Sequence, residues 1–179
     1  MWLSFVRNNK ATSHVNRLLL YALSGLLAVA MAVYTGGFIF GSKRPAPPRE
    51  LAQRALTAAS PAERERAALD LAAGDASAIE AMRAVLAKTD SPLVKSYIIQ
   101  GLGAKRDWES MPALIDALND AAAPVRDRAG VAVKEMLGVD YAFRAQDPAP
   151  KRAVAVKAMQ QRYKSMLKNP PPFAKGTTS

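Results

Sequence analysis

Cysteine is absent from the 179 residues, so the chain can build no disulfide framework, thiolate metal site or cysteine nucleophile. Histidine is nearly absent. The one imidazole, His14, stands just before a long apolar stretch with no clustered carboxylates beside it, which argues against a zinc or iron site and reads as an interfacial polar residue. Acids are missing from both ends of the chain. Residues 1–44 hold Arg7, Lys10, Arg17, Lys43 and Arg44 without an acid, and residues 148–179 hold seven bases without one. All 15 acids fall in residues 45–147 beside 13 bases, so the net charge of +10 belongs to the termini. Basic ends around a mildly acidic middle point to phosphates, lipid headgroups or an acidic partner at the ends, with an ordinary solvated domain between them.

Catalytic signatures are missing as well. There is no phosphate-binding Gly-Lys-Ser/Thr loop, no serine has a histidine available as its base, and Gly101-Leu102-Gly103 lacks the third glycine and the strand context of a dinucleotide fingerprint. Asp116, Asp120, Asp127 and Glu135 could supply paired carboxylates, but on neighbouring helices they read as solvated faces. The expectation is a non-enzyme without cofactor or metal.

What the sequence does have is one long apolar run. Leu18 to Phe40 contains 23 residues without a charge, enough at about 1.5 Å per residue to span a bilayer core of roughly 30 Å. A cleaved signal peptide has a shorter core of about 7–15 residues and a small-x-small end, whereas this run ends in Phe38, Ile39 and Phe40. Residues 18–40 are therefore expected to be a retained transmembrane helix after a basic and aromatic tail, 1–17. Ser24, Ala28, Ala32 and Gly36 recur every four residues, and Gly37 and Gly41 repeat the interval, forming a stripe suited to close packing against another membrane helix. Bases flank the run on both sides. The short basic tail ahead of it resembles a signal anchor and favours placing the following domain on the extracytoplasmic, periplasmic side.

Residues 41–48 include Pro45, Pro47 and Pro48, an extended linker that cannot continue a helix. Beyond it no strand alternation appears; helical runs are punctuated at a fixed interval. Ser60-Pro61, Ser91-Pro92 and Ala123-Pro124 each open a helix, Arg64, Lys95 and Arg126 are 31 apart, and so are Leu71, Leu102 and Val133. Leu56, Leu86 and Leu118 mark the end of the preceding helix in each unit. Ser60 and Ser91 are expected to cap the helices that follow, with Glu63 completing a capping box. Gly74, Gly101, Gly103 and Gly138 are expected to end helices. Ile79, Met82, Val85 and Leu86 form one apolar stripe and Met111, Leu114, Ile115 and Leu118 another, both expected in the core. Neither helix of a unit can bury its stripe alone, so neighbouring pairs should stack into a short α-solenoid over residues 49–147.

The segment Met111 to Asp120, followed by Pro124-Val125-Arg126 and the Ala-rich helix to Leu137, resembles a HEAT repeat of the short bacterial type, including those named after phycobilin lyases. The second unit departs from it with Tyr97, Ile98 and Ile99 where small residues are usual, and the first has Glu63 in the valine position. Gly138 to Phe143, then Asp147-Pro148 and Arg152, is similar to the closing segment after the last such repeat. The resemblance implies fold more than chemistry.

A last helix is expected over residues 148–168, stopped by Pro170-Pro171-Pro172, with a disordered Pro-rich tail at 169–179. Val156, Met159, Tyr163 and Met166 give it one apolar face, read as a cap on the stack. Lys151, Arg152, Lys157, Arg162, Lys164 and Lys168 are the candidate contacts to an anionic partner.

The reading is thus an all-α chain: one N-terminal transmembrane helix, about three helix pairs and a C-terminal capping helix. The expected function is a membrane-anchored, HEAT-like interaction module, an accessory or scaffold subunit of a larger membrane complex. Its expected partners are the lipid bilayer and other integral-membrane subunits, with a homo-oligomer through the transmembrane helix as a further option. The alternatives are a phycobilin-lyase-like enzyme or cofactor chaperone, and a binder of nucleic acid or anionic lipid through the basic tail. The neutral-to-acidic repeats weigh against nucleic acid.

Overall fold

The helix starts follow the prolines. In the computed structural model, which describes residues 46–176, five of the seven described α-helices carry a proline within their first two positions alongside an extended residue before them. There proline's fixed φ suits the first turn and its missing N–H would have had no partner anyway. The elements are α1 (Pro48–Thr57), α2 (Pro61–Ala73), α3 (Ile79–Leu86), α4 (Pro92–Ala104), α5 (Met111–Ala117), α6 (Ala123–Leu137) and α7 (Ala149–Met166). Short 3-10 turns precede α3 (Ala76–Ala78) and α5 (Trp108–Ser110), and another follows α7 (Pro172–Gly176). No strand occurs among the described residues.

Consecutive helices form hairpins, α1 with α2, α3 with α4 and α5 with α6. The second members, α2, α4 and α6, lie side by side in one layer; α1 packs on α3 and α5 on α7 in the other. The arrangement is solenoid-like. Two cores run through it. Leu51, Ala55, Leu71, Met82, Val85 and Val94 belong to the first, and Met111, Leu114, Leu118, Val133, Met136 and Met159 to the second. Helix α4 serves both: Ile98 and Leu102 face the first core and Ile99 the second. That double burial accounts for the bulk of Ile98 and Ile99 where the other units carry small residues, while Tyr97 packs, partly buried, against the first core.

Two pairs of glycine contacts correct the sequence reading. Gly101 and Gly103 lie inside α4 rather than ending it. A Cβ on Gly101 would stand 2.9 Å from the Cα of Ala72 in α2, and one on Gly103 would stand 2.6 Å from the Cβ of Ala132 in α6. Both positions therefore let three helices approach closely. The turn after α4 is made instead by Arg106, whose φ is 51°. Gly138, at φ 68°, does end α6 in the left-handed conformation. The expected caps divide in the same way: Ser91 Oγ accepts from the N–H of Val94, while Ser60 makes no side-chain capping bond.

Helix α7 closes the stack by burying Ala155, Val156 and Met159. Burial of each larger side chain contributes about 1.5–3 kcal/mol. Where the sequence predicts a disordered tail, Phe173 packs edge-on against Trp108 at 6.0 Å between ring centroids, and Trp108 in turn meets Tyr163 at 5.3 Å. The guanidinium of Arg106 lies 5.5 Å from the Phe173 ring centre.

The integral-membrane, extracytoplasmic placement expected from sequence is corrected: no helix among the described residues is long and apolar enough to cross a membrane. The physical reason is legible in each helix. The apolar α4 has only 13 residues, about 20 Å of helix, and the 18-residue α7 carries five bases. Residues 18–40, on which that expectation was built, lie outside the described residues, as do Ser24, Ala28, Ala32, Gly36, Gly37 and Gly41 of the packing stripe.

Candidate binding groove between the second and third helix pairs

Helices α3 and α5 are the shortest in the stack, eight and seven residues, and hold each other only weakly while each packs on its own hairpin partner. The gap between them is an open groove of about 430 Å³, within the range of roughly 300–1,000 Å³ typical of ligand sites. Its location follows from helical spacing. Along α5 and the turn after it, Met111, Leu114, Ile115 and Leu118 face the core, as their stripe predicts, which leaves Ala113, Asp116, Ala117 and Asp120 to form one wall. The opposite wall comes from Arg83, Leu86 and Ala87, and the floor from Lys95 and Ile99 of α4.

The upper end of the groove is organised by Asp107, whose side chain is fully shut off from solvent. Arg83 grips it in two-pronged fashion: Nε donates to Oδ2 at 2.7 Å and Nη2 donates to Oδ1. Ser110 Oγ donates to Oδ2, and Arg83 Nη1 reaches out to Glu109. Burial pushes the Asp107 carboxyl up, but the hydrogen bonds from Arg83 and Ser110 outweigh it and hold the group below the usual carboxylate range. The same hydrogen bond to Asp107 is the main reason the Arg83 guanidinium is raised. Paired in this way, the carboxylate fixes the guanidinium in one position along the groove wall.

At the lower end the 31-residue ladder is broken. Arg64 turns back to donate to the carbonyl of Ala58 at 2.7 Å. Arg126 does the same to Asp120 and Ala121, at 2.8 and 2.7 Å, and also reaches Ala145 in the closing segment. Each arginine thus satisfies carbonyls left free in the turn before its helix. Lys95 has the same register but one nitrogen instead of a fork, and it points across to Asp120 Oδ2 at 3.2 Å in the next unit. The other oxygen of Asp120 accepts from the N–H of Ala122 at 2.8 Å, fixing the carboxylate in the turn. Among the described residues Asp116 is exposed and no base pairs with it.

The structure brings Asp116 and Asp120 together on one wall but leaves Asp127 and Glu135 on α6, away from the groove. Among the described residues no three acids or histidines converge as a metal site requires. The candidate anionic-partner residues also divide. Arg152 folds inward, with Nη1 donating to the Asp147 carbonyl at 2.6 Å, and Lys151 pairs with Asp147 at 3.0 Å. Lys157, Arg162, Lys164 and Lys168 are exposed.

Arg83, Asp107 and Glu109 were missed by sequence reasoning. One signal was present: Asp75 and Asp107 both precede the 3-10 turn that opens the first helix of a unit, and Asp75 caps its own turn through Ser77. Asp107 uses the equivalent place to hold an arginine from the neighbouring unit. Comparison with protein-family models, with curated proteins and with solved structures finds no match to this chain.

Proposed function

We propose that this chain is a HEAT-like protein–protein interaction module, an accessory or scaffold subunit that holds a segment of a partner protein in the groove between α3 and α5. The observation that carries the reading is the groove itself: an open channel of about 430 Å³ whose guanidinium is fixed by the buried Asp107 before any partner arrives. Preorganised polar groups lower the ordering cost of binding. The open, short shape suits a side chain or two of a polypeptide, and the mixture of apolar floor and charged rim is that of a recognition surface.

The test is site-specific photo-crosslinking in cells. A benzophenone amino acid at Ala113, exposed on the groove wall, should trap a discrete protein partner, and the same group at Val154 on α7 should not. Absence of an Ala113 adduct, or identical adducts from both sites, would refute the reading.

A second reading is supported by α7, whose exposed Lys157, Arg162 and Lys164 have no acid on their own helix. It assigns that face to an anionic partner. Paired Lys157→Glu and Lys164→Glu substitutions should then abolish salt-sensitive binding without touching an Ala113 adduct.

A further inference from the structure

We infer that the groove between α3 and α5 recognises a basic peptide segment, about four residues long, in which a lysine or arginine stands next to an aliphatic side chain. This rests on the groove being a protein-binding site and adds the chemistry of its occupant.

Charge is the first support. Two bases, Arg83 and Lys95, face the groove, against Glu109, Asp116 and Asp120 with Asp107 immediately beneath the wall. Both bases are engaged by acids already, Arg83 by Asp107 and Glu109 and Lys95 by Asp120. The uncompensated charge is therefore negative and centres on exposed Asp116. In a chain of net charge +10 this is a local reversal, and with a Debye length of about 8 Å its pull is strongest on a cation seated in the groove itself. A carboxylate or phosphate ligand would instead meet that acid excess.

Shape is the second. An eight-residue helix is about 12 Å long, which matches about four residues of extended chain at roughly 3.3 Å each. Ala113 and Ala117, one turn apart on α5, keep the wall low beside Asp116, over Ile99 on the floor and opposite Leu86. That alternation suits a cation beside Asp116 and an aliphatic group set down between the alanines. Neither duplex nor flat lipid surface fits a channel of this length with an acidic wall.

Lys95 supplies the third support. Its ammonium is held by a single contact to Asp120, where the ladder arginines make two or three. An incoming guanidinium can take over Asp120 Oδ2 while Lys95 turns to solvent, so the groove can present two carboxylates, Asp116 and Asp120, to one cation.

The experiment uses the full-length chain and a phage-displayed library of random dodecapeptides. Selected peptides should be enriched in lysine or arginine adjacent to leucine, isoleucine or valine. They should bind Asp116→Lys at least tenfold more weakly, about 1.4 kcal/mol, and Ala113→Trp, which fills the channel without changing charge, should also lose them. Unaltered far-ultraviolet circular dichroism checks that both variants fold. Enrichment of acidic or purely apolar peptides, equal binding by Asp116→Lys, or no peptide above the bare matrix would each overturn the assignment. A photo-adduct at Ala113 together with acidic peptides would sink this inference and leave the interaction module standing; loss of the adduct would sink both.

Discussion

Replacing Gly103 with alanine should weaken the fold although alanine is the better helix former. Inside a helix the exchange is worth up to about 1 kcal/mol in alanine's favour. Against this, the new methyl group would sit 2.6 Å from the Cβ of Ala132 and 3.2 Å from its Cα, where ordinary contacts begin near 3.4 Å. The obstacle is the backbone of α6 and the shortest possible side chain on it, so nothing can swing aside; the two helices must part. Overpacking of this kind costs about 1–3 kcal/mol. With the obstacle attached to a buried helix we take the upper value, and the net loss is about 2 kcal/mol, or a fall in Tm of roughly 8 °C in a unit of this size. The assay is thermal and urea unfolding followed by circular dichroism, in a double-mutant cycle with Ala132→Gly. Removing the Ala132 methyl takes away the closest contact, so Gly103→Ala should cost at least 1 kcal/mol less in that background. If the two substitutions are additive, or if Gly103→Ala stabilises the chain, close approach of α4 and α6 is not what this glycine provides.

Three further outcomes follow from the contacts. Arg83→Ala leaves the shut-in Asp107 carboxylate without its cation; since Arg83 itself is about one-third exposed, the loss should be about 2–3 kcal/mol, toward the low end for a broken buried pair. Because the folded Asp107 carboxyl lies below its ordinary value of 3.8, its contribution is present above that pH and is lost as pH falls through the folded value. Without Arg83, burial raises the Asp107 carboxyl, so the Tm gap between wild type and Arg83→Ala should be widest near neutral pH and shrink as acid protonates the variant's carboxyl; a gap unchanged at pH 3 would refute the pairing. Arg126→Ala, which removes the donor from two part-buried carbonyls and one exposed one, should cost about 2 kcal/mol, whereas Lys95→Ala, with its single partly exposed ion pair, should cost under about 1, as urea titration will show. Phe173→Ala should uncover Trp108, red-shifting its emission in a Trp2→Phe background and lowering stability by about 1–2 kcal/mol.

Much of the architecture was legible because it repeats. A spacing of 31 between Arg64, Lys95 and Arg126 located three helix openings, and the stripe Met111, Leu114, Ile115, Leu118 named a buried face. The start and stop signals around α7 bounded it to within two residues, since prolines at 148 and 170 act locally. Gly101 and Gly103 were misread because glycine serves two needs that sequence alone does not separate, a left-handed turn and a missing side chain. Only the neighbour decides, and here the neighbours are Ala72 and Ala132 on other helices. The Phe173 contact was hidden for a similar reason: a proline-rich tail looks disordered until a distant Trp108 offers it a surface.

The groove was the least legible part, and the cause lies in how it is made. Periodicity records what the units share, while this site arises where they differ. Arg64 and Arg126 spend their guanidinium groups on turn carbonyls of their own unit. Lys95, in the same register, has no fork with which to do so, and its charge crosses to Asp120 of the next unit. Asp75 caps its own 3-10 turn, whereas Asp107 spends its carboxylate on Arg83 of the unit before. Both departures place a charge across the same boundary, the one where α3 and α5 are too short to close on each other. A repeat stack gains stability from each unit that conforms, since each capping arginine satisfies carbonyls that would otherwise lack partners. Two exceptions at a single boundary forgo part of that gain in the same place, and what they leave there is an open groove of about 430 Å³ with its charges already set.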